Sequence, residues 1–88
     1  SESARKVVKL GRMMAAAHVK AAIADDLLSL AEADYANGTG LAIAVTDARR
    51  TSQSAHVELA TATWEYQVGL LKLNRELGVD IRTAVTAD

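Results

Sequence analysis

The sequence predicts an all-α fold, an antiparallel two-helix coiled-coil hairpin that self-associates into a four-helix or larger bundle. Three observations predict it. Proline is absent and the glycines fall only at positions 11, 38, 40, 69 and 78, so long stretches carry no strong helix breaker. Two Ala-rich arms each show apolar residues spaced three and four apart. Between the arms, Asn37, Gly38, Thr39 and Gly40 form the one dense cluster of turn residues.

The first arm is expected to be helical over 3–36. Its main apolar row reads Val7, Leu10, Met14, Ala17, Ala21, Ala24, Leu28, Ala31, Tyr35. The spacing alternates three and four without a miss, which is the 3.5-residue period of a coiled-coil seam. Asn37-Gly38 suits the end of this helix, because glycine takes the left-handed position after a helix without a Cβ penalty.

The turn is expected at 37–41 and the second helix over 42–77, with Thr39 as its N-cap. The second row reads Leu41, Val45, Ala48, Ser52, Ala55, Leu59, Ala62, Tyr66, Gly69, Leu73, and Ser52 is its one polar member. Leu77-Gly78-Val79 reads as another glycine cap, leaving 79–88 as a frayed tail. Charge supports antiparallel pairing: with the turn near Thr39, Lys20 falls opposite Glu58, Arg12 near Glu65, and Asp26 near Arg49 and Arg50.

Each arm also carries a second apolar row. Val19, Ile23, Leu27 and Leu30 form one, and Val57, Trp64, Val68 and Leu71 the other. A lone hairpin needs a single seam, so two per helix imply neighbours on both sides. Composition points the same way. Half of the 88 residues are apolar, but much of that is Ala, with no Phe and one Trp. At ~25 cal/mol per Å² of apolar area, an Ala core contributes little. Such a hairpin is marginal alone and gains from self-association or a larger parent.

Composition also removes function classes. A net charge of −1 gives no basic face for nucleic acid. The absence of cysteine excludes disulfides and thiol chemistry. No apolar run approaches the ~20 residues that span a bilayer.

The search for catalytic residues is short. His18 and His56 have no second ligand at helical spacing, and read as solvated surface histidines. Asp25, Asp26, Glu32 and Asp34 read as an acidic face answering Arg49 and Arg50. Gly38-Thr39-Gly40 follows a helix and lacks the lysine of a phosphate-binding loop. The expectation is therefore no enzyme, no cofactor and no metal. Tyr66 suits core packing, whereas Trp64 is either buried between helices or an exposed interface anchor. Tyr35 stands one turn from the tip, where its hydroxyl can reach the second helix or a neighbouring hairpin.

The tip carries a resemblance. Leu27-Leu28-Ser29-Leu30-Ala31-Glu32-Ala33-Asp34-Tyr35-Ala36-Asn37-Gly38-Thr39 is similar to the end of the long second-repeat helix of TolC-type outer-membrane efflux channels. Val45-Thr46-Asp47-Ala48 resembles that family's aspartate-alanine step just past the turn. The stretches 55–66 and 70–78 resemble its returning helix, with an aromatic, a leucine-rich turn and a terminal Leu-Gly. Together the matches cover roughly 20–79, and their order and spacing carry the likeness.

The resemblance implies a periplasmic hairpin from an α-helical export conduit of an outer-membrane protein, itself part of a longer chain. Three protomers of such a channel form a twelve-helix tunnel whose tips open like an iris, and a periplasmic adaptor protein docks on the tips. It implies that Asn37, Gly38, Thr39 and Gly40 are the adaptor-docking turn. Tyr35 would be a gate latch, and Asp47 a tunnel-facing or inter-hairpin carboxylate. Gly40 and Ala44 stand where some members place a latching arginine and a further aspartate, which implies a gate held differently.

Overall fold

The computed structural model describes residues 1–86, and they form two long helices joined by a short turn: α1, Glu2–Ala36, and α2, Ala42–Thr86. The helices run antiparallel as a rod of 76 × 14 × 13 Å. The all-α hairpin expected from the 3.5-residue spacing is what the chain adopts.

Ser1 opens α1, its side chain accepting a hydrogen bond from the Ala4 N–H at 3.2 Å. α1 closes with Asn37 as C-cap and Gly38 at φ 78, the left-handed conformation that glycine alone adopts without strain. The Gly38 N–H donates to the Tyr35 carbonyl and the Thr39 N–H to the Asp34 carbonyl. This is the paired bonding of a Schellman end.

Every member of the first row except Tyr35 is buried or half-buried, as is every member of the second row except Leu41. The tightest layers hold Ala21, Ala24, Ser52 and Ala55, at 2, 4, 7 and 2 % exposure. Small side chains there let the helix axes approach closely.

Away from the alanines the seam interlocks large against absent side chains. The Tyr66 ring lies over Gly11, where a Cβ would meet Cε1 at 3.2 Å. Leu10 fills the space at Gly69, where a Cβ would meet Cδ1 at 2.9 Å. Each helix thus presents a glycine hole to a knob of the other.

Three expectations need correction. Thr39 is not the N-cap of α2, which begins three residues later; its hydroxyl donates instead to the Asp34 carbonyl at 3.1 Å and helps to close α1. Gly78 does not end α2. With no proline after it and nothing within 4 Å of its Cβ position, the helix runs through to Thr86. The tail expected over 79–88 is therefore helical as far as 86, and Ala87 and Asp88 lie outside the described residues. Lys20 facing Glu58 sets Glu2 level with Glu76, so residues 77–86 have no part of α1 beside them. Finally, Asp26 does not answer Arg49 or Arg50. Asp26 lies two places past the buried seam residue Ala24 and faces outward, whereas Asp25 lies on the flank that meets α2.

Candidate functional site

Three features outside the core bear on function: the tip, a polar clasp across the seam, and an uncovered apolar surface.

At the tip, the residues expected to matter are placed by the end of α1. Gly40 is pressed against that helix: a Cβ there would stand 3.0 Å from the Asp34 Cβ and 3.1 Å from the Tyr35 N. Its N–H donates to the Asp34 carbonyl at 3.1 Å, so that one oxygen accepts from Thr39 N, Thr39 Oγ1 and Gly40 N. Asn37, Gly38 and Thr39 are exposed, and Leu41 and Ile43 beside them are 69 and 61 % exposed. The tip is thus a rigidly bonded turn presenting apolar side chains at its edge.

Tyr35 is 54 % exposed and borders a shallow groove with Glu32 of α1 and Ala42, Val45, Thr46 and Arg49 of α2. Its hydroxyl makes no hydrogen bond among the described residues. Asp47 is exposed and does not border that groove. Within one hairpin, therefore, Tyr35 and Asp47 are not brought together.

The clasp lies near mid-hairpin. The Ser52 hydroxyl donates to Asp25 Oδ1 at 2.7 Å. His56 Nε2 lies 3.0 Å from Oδ1 and 2.9 Å from Oδ2 of the same carboxylate. A carboxylate only accepts, so Nε2 is the donor in this contact. The Ser52 hydrogen bond first, and the His56 bond second, hold the Asp25 carboxyl below the usual carboxylate range. On the other flank, Lys20 Nζ sits 3.0 Å from Glu58 Oε2, the pairing that charge register predicts. Arg12 and Glu65 form no ion pair among the described residues.

Chemically the clasp fastens α1 to α2 through one carboxylate. The Ser52 hydroxyl is committed to the Asp25 carboxylate, and His56 bonds to that carboxylate and not to the hydroxyl. Among the described residues no three His, Cys, Asp or Glu side chains converge as a metal site would need. Among the described residues no helix is long and apolar enough to cross a membrane.

Sequence reading missed the clasp by taking Asp25 and His56 as solvated. The available signal was Ser52, a polar residue inside an alanine row, with Asp25 one place past Ala24 and His56 one place past Ala55.

The chain was compared with protein-family models, with curated proteins and with solved structures. None of them matches it.

The third feature is the uncovered apolar surface. Val19, Ile23, Leu27 and Leu30 on α1 are 54–58 % exposed, and Val57, Trp64 and Leu71 on α2 are 65–67 % exposed. These side chains belong to the second rows and are uncovered within one hairpin, whereas Val68, the remaining member on α2, is half-buried beside Val7 and Leu10 of α1.

Proposed function

We propose that this chain is a tip-forming hairpin of a TolC-type export conduit, with α1 and α2 as staves in a wall of helices. The observation that carries the reading is the placement of the α2 outer row. Val57, Trp64 and Leu71 recur every seven residues, with Thr61 and Val68 between them, so this row keeps the heptad spacing of the inner seam. At ~100° per residue in a heptad helix, the two seams of α2 lie ~150° apart. A helix with neighbours almost opposite one another lies in a gently curved wall. In a compact four-helix bundle each helix turns a corner of ~90°. The tip supports the same reading: it is bonded internally through Asp34 and presents Leu41 and Ile43 outward, as a surface for an adaptor subunit requires.

A second reading rests on α1. Ile23, Leu27 and Leu30 lie ~100° from the seam by the same geometry, which suits a bundle corner. Two copies forming a four-helix interaction module would use that row.

An antibody raised against the hairpin, applied to fractionated cells of the source organism, separates the two. The channel reading predicts recovery in the outer-membrane fraction as a trimer of a longer chain. Recovery in the soluble fraction as a dimer of a small protein would overturn it in favour of the bundle.

A further inference from the structure

We infer that Asp25, Ser52 and His56, together with the Lys20–Glu58 pair, form a girdle that confines rearrangement of the hairpin to its tip-proximal residues, 26–51. The inference depends only on contacts within one chain and stands apart from the proposed channel.

The polar links between the helices are gathered at one level, on both flanks of the seam. Asp25 and His56 each follow a buried seam residue, Ala24 and Ala55, whereas Lys20 and Glu58 precede the buried Ala21 and the half-buried Leu59. The two links therefore stand on opposite sides of the same alanine layers. Those layers need them. Alanine against alanine offers no knob large enough to oppose sliding of one helix along the other. Ser52 adds a fastening inside the seam, with its hydroxyl committed to Asp25 at 2.7 Å.

Conditions differ on either side. Toward the open end the seam is keyed by Tyr66 over Gly11 and Leu10 at Gly69. Toward the tip, Leu28, Ala31, Val45 and Ala48 are half-buried, as Leu10, Met14, Tyr66 and Leu73 are toward the open end, but on the tip side no glycine takes a knob from the facing helix. Among the described residues no side-chain hydrogen bond or ion pair joins α1 to α2 there. Segments with few buried apolar contacts and few cross-links open at lower free energy than the rest. The girdle is where that lower stability ends. A partner pulling on the tip would repack residues 26–51 and leave the stem in register.

Hydrogen exchange measured by mass spectrometry on the 88-residue chain tests this. Helical amides of 26–36 and 42–51 are expected to exchange about tenfold or more faster than those of 12–25 and 52–66. Asp25→Ala is expected to move the boundary of fast exchange past the girdle, to the level of Tyr66. If Asp25→Ala loses its helical circular dichroism, His56→Gln takes its place and is expected to move the boundary in the same direction. Even exchange along both arms of the parent chain would overturn the inference. So would a folded variant that loses protection evenly, with the boundary unmoved.

Discussion

Ser52 donates to Asp25 beside the alanine layers of the seam, at 2.7 Å and with Ser52 itself 7 % exposed. A polar residue in such a row is tolerated because its hydroxyl has a partner on the facing helix. The partner, in turn, is an acid whose ionisation this contact favours.

That relationship sets a pH dependence. In the unfolded chain Asp25 titrates at the ordinary carboxylate value, ~4. In the folded chain Ser52, and then His56, hold it lower. The clasp's contribution is therefore complete above the ordinary value and is lost as pH falls below it toward the folded one. Thermal melts between about pH 5 and pH 3 should show a steeper loss for the parent chain than for Asp25→Ala. Parallel curves would show that the clasp contributes nothing.

Gly38 and Gly78 should respond to alanine with opposite signs. Gly38 holds φ 78, so Gly38→Ala should destabilise the hairpin by about 1 kcal/mol. Gly78 sits inside α2 with open space at its Cβ position, so Gly78→Ala should add helicity and up to about 1 kcal/mol. Circular dichroism with thermal denaturation reads both, and a stabilising Gly38→Ala would contradict the assigned turn.

Leu10 and Gly69 should be coupled. A Cβ at Gly69 would meet Leu10 Cδ1 at 2.9 Å, so the leucine must shift to admit it and Gly69→Ala should forfeit the gain of about 1 kcal/mol that alanine's helix propensity offers. In a Leu10→Ala background the obstruction is gone, and the same change should become stabilising. A double-mutant cycle by denaturant unfolding measures this, and additive effects would refute the interlock.

Trp64 reports directly on assembly. It is 66 % exposed in the single hairpin, so its emission should lie near that of solvated indole at low concentration. It should shift to the blue as concentration rises and the outer row of α2 is covered. Trp64→Ala should weaken association about tenfold or more, as truncating an interface tryptophan does. An emission maximum that never moves would place Trp64 outside the interface.

Much of the architecture is legible in the sequence because a heptad row is a local pattern with a single geometric solution. Val7 through Ala31 and Val45 through Leu73 fall on the interface as their spacing requires, and Lys20 meets Glu58 as charge register requires. What was not legible depends on fine orientation or on competing ends. Asp25 and Asp26 are adjacent in sequence, yet ~100° of rotation separates a clasp from a solvated acid. Thr39 could serve either helix, and the Asp34 carbonyl at the end of α1 takes its hydroxyl. Gly78 resembles a cap, but a lone glycine costs a helix only about 1 kcal/mol, and no second breaker follows it. At the tip, the placement of Gly40 against Asp34 explains the glycine by close approach, which no local pattern encodes.

If the second apolar rows of α1 and α2 are assembly surfaces, the chain associates through them. Sedimentation equilibrium of the 88-residue chain at micromolar concentration tests this most directly. The rows of Ile23, Leu27 and Leu30, and of Val57, Trp64 and Leu71, predict a dimer or larger species. A stable monomer under those conditions would contradict it.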